Sequence, residues 1–235
     1  MDKMVIAKKS GFDFELVNRS HKYPAYDKCF GGLRVDKKDF LKWSAKYDKD
    51  QGCLAQEERE LGARFRRTKI MSKADLAKVV EWTFKDDEAK RLRVLELVSR
   101  NDEGSVLRVS SQVFNLPVDD DACRINCLLT LQGVSPVLAS VVLAFFDPKR
   151  YGVFDVYAWR GLLGNEVPNL FSTMNYLKLL AALRKTAGKH NLDVRTVEKG
   201  LVEKKLDETG IIENRSQRKS GRGTAKTKTR KTKKR

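Results

Sequence analysis

The sequence predicts an all-helical fold, and three observations carry that prediction. Apolar residues recur three and four apart along most of the chain, as one buried helix face requires. Capping residues and prolines stand at the heads of these periods. Strand-type alternation is nearly absent, apart from a short candidate at YGVF, 151–154. With 41% apolar residues in 235, the chain has enough material for a buried core.

The opening stretch to about Val35 is broken by Gly11, Pro24, Gly31 and Gly32. Its aromatics, Phe12, Phe14, Tyr23, Tyr26 and Phe30, suit an extended cover over another domain. Helical periods follow. DKKDFLKWSAKY sets Phe40, Leu41 and Trp43 among charges, and 54–65 is dense in Glu and Arg at helical spacing. Ser72, three before Asp75, reads as a cap for a helix whose apolar stripe is Leu76, Val79, Val80 and Phe84. Further helices are expected over 88–99, 105–115 and from Asp119 or Asp120 to a stop at Gly133. Ser135 and Pro136 start the next, which runs to about Phe146 and ends at Asp147 and Pro148. Asp155 heads a short helix, DVYAWRGLL, and helices at about 175–190 and 195–208 close the ordered part. The expected division is a covering segment with the first helices at 1–70, a helical domain at 71–212, and a tail at 213–235.

Charge points to a class of partner. Lys and Arg number 48 against 31 Asp and Glu, a net charge of +17. The last twenty residues, SQRKSGRGTAKTKTRKTKKR, carry ten of the basic residues and no acid. With almost nothing apolar to bury, this tail is expected to be a disordered basic arm. Its Lys226, Lys228, Arg230, Lys231, Lys233, Lys234 and Arg235 are candidate contacts to nucleic-acid phosphates.

Cys29, Cys53, Cys123 and Cys127 lack metal-site spacing and are expected in the core, and His21 and His190 belong to no ligand pattern. No metal is expected. Without a long apolar run or a signal-peptide pattern, the expectation is a soluble monomer of the cytoplasm, or of a nucleus.

The most informative stretch is LTLQGVSPVLASVVLAFFDPKRYGVFDVYAWRGLL, 129–163. It reads as a helix, a tight hairpin at Gly133, Val134 and Ser135, and a second helix, with Val134 as the apolar plug beneath the turn. N–H groups at such a turn and helix start can bind a phosphate oxygen. They can equally meet water in an ordinary helical hairpin.

LQGVSPVLASVVLAF resembles the helix-hairpin-helix motif, and YGVFDVYAWRGLL resembles its continuation in the helix-hairpin-helix DNA glycosylases of base-excision repair. The likeness covers about Cys127 to Leu163, as in a divergent member. It implies a glycosylase-like helical fold and duplex DNA as partner. Gly133, Val134 and Ser135, with Lys149 and Arg150 beyond the second helix, become DNA contacts. Asp155 becomes the carboxylate that stabilises positive charge on the sugar as a flipped base leaves. The same Asp155 is also accounted for as a helix N-cap.

Two departures narrow the implied chemistry. Bifunctional members carry a nucleophilic Lys where this chain has Val137, which implies a monofunctional hydrolase. Ser135 replaces the hairpin's second glycine. The iron–sulfur loop of some members has no counterpart here, and the family's monovalent cation would lie at the backbone of Leu131, Gly133 and Val134. Trp82, Trp159, Tyr157, Phe154 and Tyr151 are the aromatics available to stack on a base, with Trp159 and Phe84 expected in the core. The other functions open to the sequence are a non-catalytic nucleic-acid-binding module and a basic helical interaction protein.

Overall fold

The computed structural model describes residues 35–117, 120–164 and 171–208. The aromatic cover and the basic tail, with its seven candidate contacts, lie outside them. Among the described residues there are ten α-helices and no strand: α1 Lys37–Gln51, α2 Cys53–Thr68, α3 Lys73–Thr83, α4 Glu88–Ser99, α5 Glu103–Asn115, α6 Asp121–Leu128, α7 Pro136–Phe146, α8 Val156–Leu163, α9 Thr173–His190 and α10 Val194–Glu208.

Local chemistry explains most helix starts. Asp36 with Asp39, and Ser72 with Asp75, form reciprocal capping boxes at α1 and α3. Asp87, Asp102, Asp120, Ser135, Asp155 and Ser172 each accept first-turn N–H groups with their side chains. Each such cap contributes about 1 kcal/mol.

The core is built around α7. From Leu138 to Phe146 every residue is buried, because α7 is apolar on all sides and is covered by α2, α3, α6 and α9. Helix α2 comes closest to it at Gly62, where a Cβ would lie 2.4 Å from the Phe145 carbonyl oxygen. Arg66 also donates to the Phe145 and Phe146 carbonyls at 2.8 and 3.3 Å, satisfying the end of α7. Helix α1 packs along α10, and Phe40, Leu61 and Phe65 join the same core as the later helices.

Three local expectations are corrected. Helix α6 ends at Leu128 and not at Gly133, because Thr130 and Leu131 N–H bond three residues back and tighten the chain into turns. The stretch 151–154 is extended but is no strand: its backbone is satisfied from helices. Phe154 N–H donates to Ser140 Oγ at 2.8 Å, Gly152 C=O accepts from Tyr176 Oη at 3.0 Å, and Val153 N–H points to Glu198 Oε2 at 3.4 Å. The cysteines among the described residues are not core residues. Cys53 is exposed, and Cys123 and Cys127 are half-buried on one face of α6 with sulfurs 3.8 Å apart.

Among the described residues no helix is long and apolar enough to cross a membrane. No cluster of three His, Cys, Asp or Glu side chains fit for a metal occurs among them either.

Candidate functional site

The hairpin takes the form its residues dictate. Gly133 has φ 81°, a left-handed conformation in which a side chain is strained. The turn packs so closely on α4 that a Cβ there would lie 3.0 Å from Leu97 Cβ and 3.1 Å from Val98 N. Val134 is buried, as a plug must be. Asn101 clamps the turn from outside: its Oδ1 accepts the Gln132 N–H at 2.8 Å and its amide donates to the Gln132 carbonyl at 3.0 Å.

These bonds reduce the donors left for a phosphate. Val134 N–H goes to the Leu131 carbonyl and Leu138 N–H to Ser135 Oγ, while Pro136 has no N–H. Gly133, Ser135 and Val137 keep N–H groups that find no acceptor among the described residues. The Leu131 carbonyl, one of those expected near a monovalent cation, already accepts the Val134 N–H.

Asp155 caps α8 with one oxygen. Its Oδ1 accepts from Tyr157 N–H at 2.6 Å and Ala158 N–H at 3.2 Å, whereas Oδ2 has no hydrogen-bond donor among the described residues. Burial pushes its carboxyl above the ordinary range, against the pull of those two N–H groups and of Arg195. The connector before it is held on both sides: the Pro148 and Lys149 carbonyls take the Arg195 and Val194 N–H groups of α10 at 3.0 and 3.3 Å. The carboxylate is thereby fixed relative to both α7 and α10.

Asp155 lines a cavity of about 240 Å³ that no local pattern in the sequence assembles. Val137 from the start of α7 lines it too, as do Trp82, Phe154 and Tyr157. Its far wall comes from distant segments: Tyr47 and Gln51 on α1, Lys85 and Asp86 after α3, and Glu198 and Val202 on α10. Of the five aromatics offered for stacking, Trp159 and Tyr151 are core residues away from this wall.

Beneath the cavity lies a buried ionic cluster. Arg195 donates Nε and Nη2 to the two oxygens of Glu58, both at 2.9 Å, and pairs with Glu198 through Nη1. Lys199 bridges Asp48 at 2.8 Å and Glu58 at 3.1 Å. Burial works against the Glu58 charge, but Arg195 and Lys199 hold its carboxyl down at about 2. Arg195 and Glu198 meet at i,i+3 spacing on α10, whereas Asp48 and Glu58 join them only because α1, α2 and α10 pack together.

Lys149 and Arg150 are placed elsewhere. They line a shallow groove with Arg184, Ala187, Gly188, Leu192 and Val194, which shares no residue with the cavity. Arg184 there chelates Asp121, which also accepts from Tyr151 Oη at 2.7 Å. Comparison of this chain with protein-family models, with curated proteins and with solved structures finds no match, so the reading of the site rests on its residues and geometry.

Proposed function

We propose that this protein binds DNA and acts as a monofunctional DNA glycosylase, hydrolysing the N-glycosidic bond of a damaged or mismatched base. One observation carries the reading. Val137 and Asp155, the two positions that the helix-hairpin-helix glycosylase likeness assigns to the reacting sugar, line one cavity.

The chemistry follows from what each residue can do. As the glycosidic bond breaks, positive charge grows on the sugar, and a carboxylate held rigidly beside it lowers that barrier without reorganising. Asp155 has that rigidity through Oδ1 and an oxygen to spare in Oδ2. Trp82, Phe154 and Tyr157 supply aromatic wall for an extruded base. Val137 offers no amine where the likeness places the family's nucleophile, so water is read as the nucleophile; the Lys85 amine, also on the cavity wall, donates to Gln51 Oε1. The N–H groups of Gly133, Ser135 and Val137 are suited to a phosphate, and the tail and the Lys149–Arg150 groove to the remaining backbone.

The test is base release from duplexes carrying uracil, alkylated purines, oxidised purines or mismatches, comparing wild type with Asp155→Asn. Asn still caps a helix, so the fold is kept. Release that falls by on the order of 100-fold or more in D155N, with melting temperature and DNA affinity nearly unchanged, is the expected result. Equal release by both proteins removes the role of Asp155. DNA binding by a wild type that releases no base favours a non-catalytic nucleic-acid-binding module.

A further inference from the structure

Glu198 is a carboxylate of the cavity beside Asp155 and Asp86, and its pairing with Arg195 is not the whole account of it, because that cation is also held by both oxygens of Glu58. The cations at the cluster, Arg195 and Lys199, are already matched by Glu58 and Asp48. Glu198 therefore adds a negative charge that the cluster does not require, in a side chain 1% exposed. Its Oε2 takes Arg195 and the Val153 N–H, and Oε1 has no donor among the described residues. Gly152 makes the placement sterically feasible: a Cβ there would lie 3.1 Å from Glu198 Cβ and 3.3 Å from its Cγ.

We propose that Glu198 is the general base of the site, taking a proton from the water that attacks the sugar, while Asp155 stabilises the developing charge. This rests on the glycosylase reading. In the step, the C1′–N bond breaks and its electron pair leaves with the base nitrogen. The water oxygen bonds C1′, one water proton passes to the Glu198 carboxylate, and that proton is then delivered to the departing nitrogen. The products are an abasic site and the free base, with Glu198 restored.

The protonation behaviour fits the task. Burial pushes the Glu198 carboxyl up to about 7, the Asp155 charge adds to this and Arg195 opposes it. A base titrating near the working pH is effective in proton transfer. The other groups facing it are Glu58 from α2, held ionised, and Tyr47 from α1, whose phenol is pushed well up by burial. Lys85 and Asp86 share the cavity.

The experiment is single-turnover base release against pH for wild type, Glu198→Gln and Glu198→Asp on full-length protein. Wild-type rate is expected to rise with pH through an inflection at about 7. E198Q should lose on the order of 100-fold to 10,000-fold in rate with unchanged DNA affinity and no such inflection, and E198D should recover part of the loss. A second readout separates base from structural clamp. The folded state holds a proton that the unfolded chain releases at 4.5, so wild-type stability declines as pH rises from there to about 7. E198Q lacks that decline and should melt at or above wild type at pH values beyond it, where a clamp would melt lower. Base release by wild type with an equal rate and profile in E198Q overturns the role of Glu198 alone. No release by wild type from any lesion overturns the glycosylase reading and this role with it. If E198Q fails to fold, a wild-type profile that is flat through about pH 7 overturns the proposal.

Discussion

Val137 and Asp155 line the same cavity, although one opens α7 and the other heads α8. The chain between them brings them together through a helix buried from Leu138 to Phe146 and an extended connector pinned to Ser140, Tyr176 and Glu198. A tight helical hairpin alone would not do this. The connector needs polar side chains at its own depth, and these come from α7, α9 and α10.

The ionic cluster under the cavity should be a main support of the fold. Glu58→Gln leaves Arg195 and Lys199 buried with one carboxylate fewer, which costs about 3–5 kcal/mol. The sign with pH follows from a lowered carboxyl. The stabilisation is present above the ordinary value of 4.5 and is lost as pH falls toward about 2. Urea unfolding at a series of pH values should therefore show the gap between wild type and E58Q closing only in strong acid. A gap that stays constant with pH would contradict the pairing.

Gly133 cannot be used to test phosphate binding by the turn. Gly133→Val combines a left-handed φ with contacts of 3.0 and 3.1 Å to α4, and should cost about 2 kcal/mol or more of stability. Ser135→Asp is the cleaner probe, because Asp is as good an N-cap as Ser and suits the helix dipole, yet sets a negative charge where a phosphate would sit. S135D should melt within about 1 kcal/mol of wild type and bind duplex DNA about tenfold or more weakly. Unchanged affinity would place the phosphate contact elsewhere.

The tail should contribute attraction without sequence preference, since contacts to phosphate carry no base information. Truncation after Asn214 removes the ten basic residues of the last twenty. The slope of log affinity against log salt should shrink by about 0.9 for each phosphate that the tail neutralises, and the weakening should be largest at low salt. An identical slope in the truncated chain would exclude such neutralisation.

The helices were legible because their signals are local. Ser72 with Asp75, Ser135 with Pro136, and Asp155 each mark a helix start within a few residues, and all three caps form as expected. The cavity was half legible. Asp155, Val137, Trp82, Phe154 and Tyr157 stand out from the sequence, whereas Tyr47, Gln51 and Glu198 carry no signal in their own segments and join the site through packing of α1 and α10. Glu198 in particular sits in VEKGLVEKKL, where alternating charge reads as a solvated helix face. The strand expectation at 151–154 failed for a related reason. Extended, apolar residues there are buried by helices from several directions, which the residues themselves do not distinguish from a sheet.

Replacing Val137 by Lys tests the site without knowledge of the damaged base. Val137 is half-buried on the first turn of α7, after the Ser135 cap and Pro136, and packs at the edge of the core, so a longer side chain leaves the cap intact and gives up only edge packing. A lysine there unfavourably meets the helix dipole by about 0.3–1 kcal/mol, a small cost. Its amine would enter the cavity that holds Asp155 and Glu198. Given a duplex with an abasic site, the amine nitrogen can attack the C1′ aldehyde of the opened sugar and expel water to form an imine, which borohydride reduces to a stable amine. V137K should therefore give a covalent protein–DNA band after borohydride, and wild type and Val137→Met should give none at this position. Adding D155N to V137K should reduce the yield, because the carboxylate no longer favours the cationic intermediate. A V137K protein that folds and binds the abasic duplex but traps nothing would set Val137 away from the sugar.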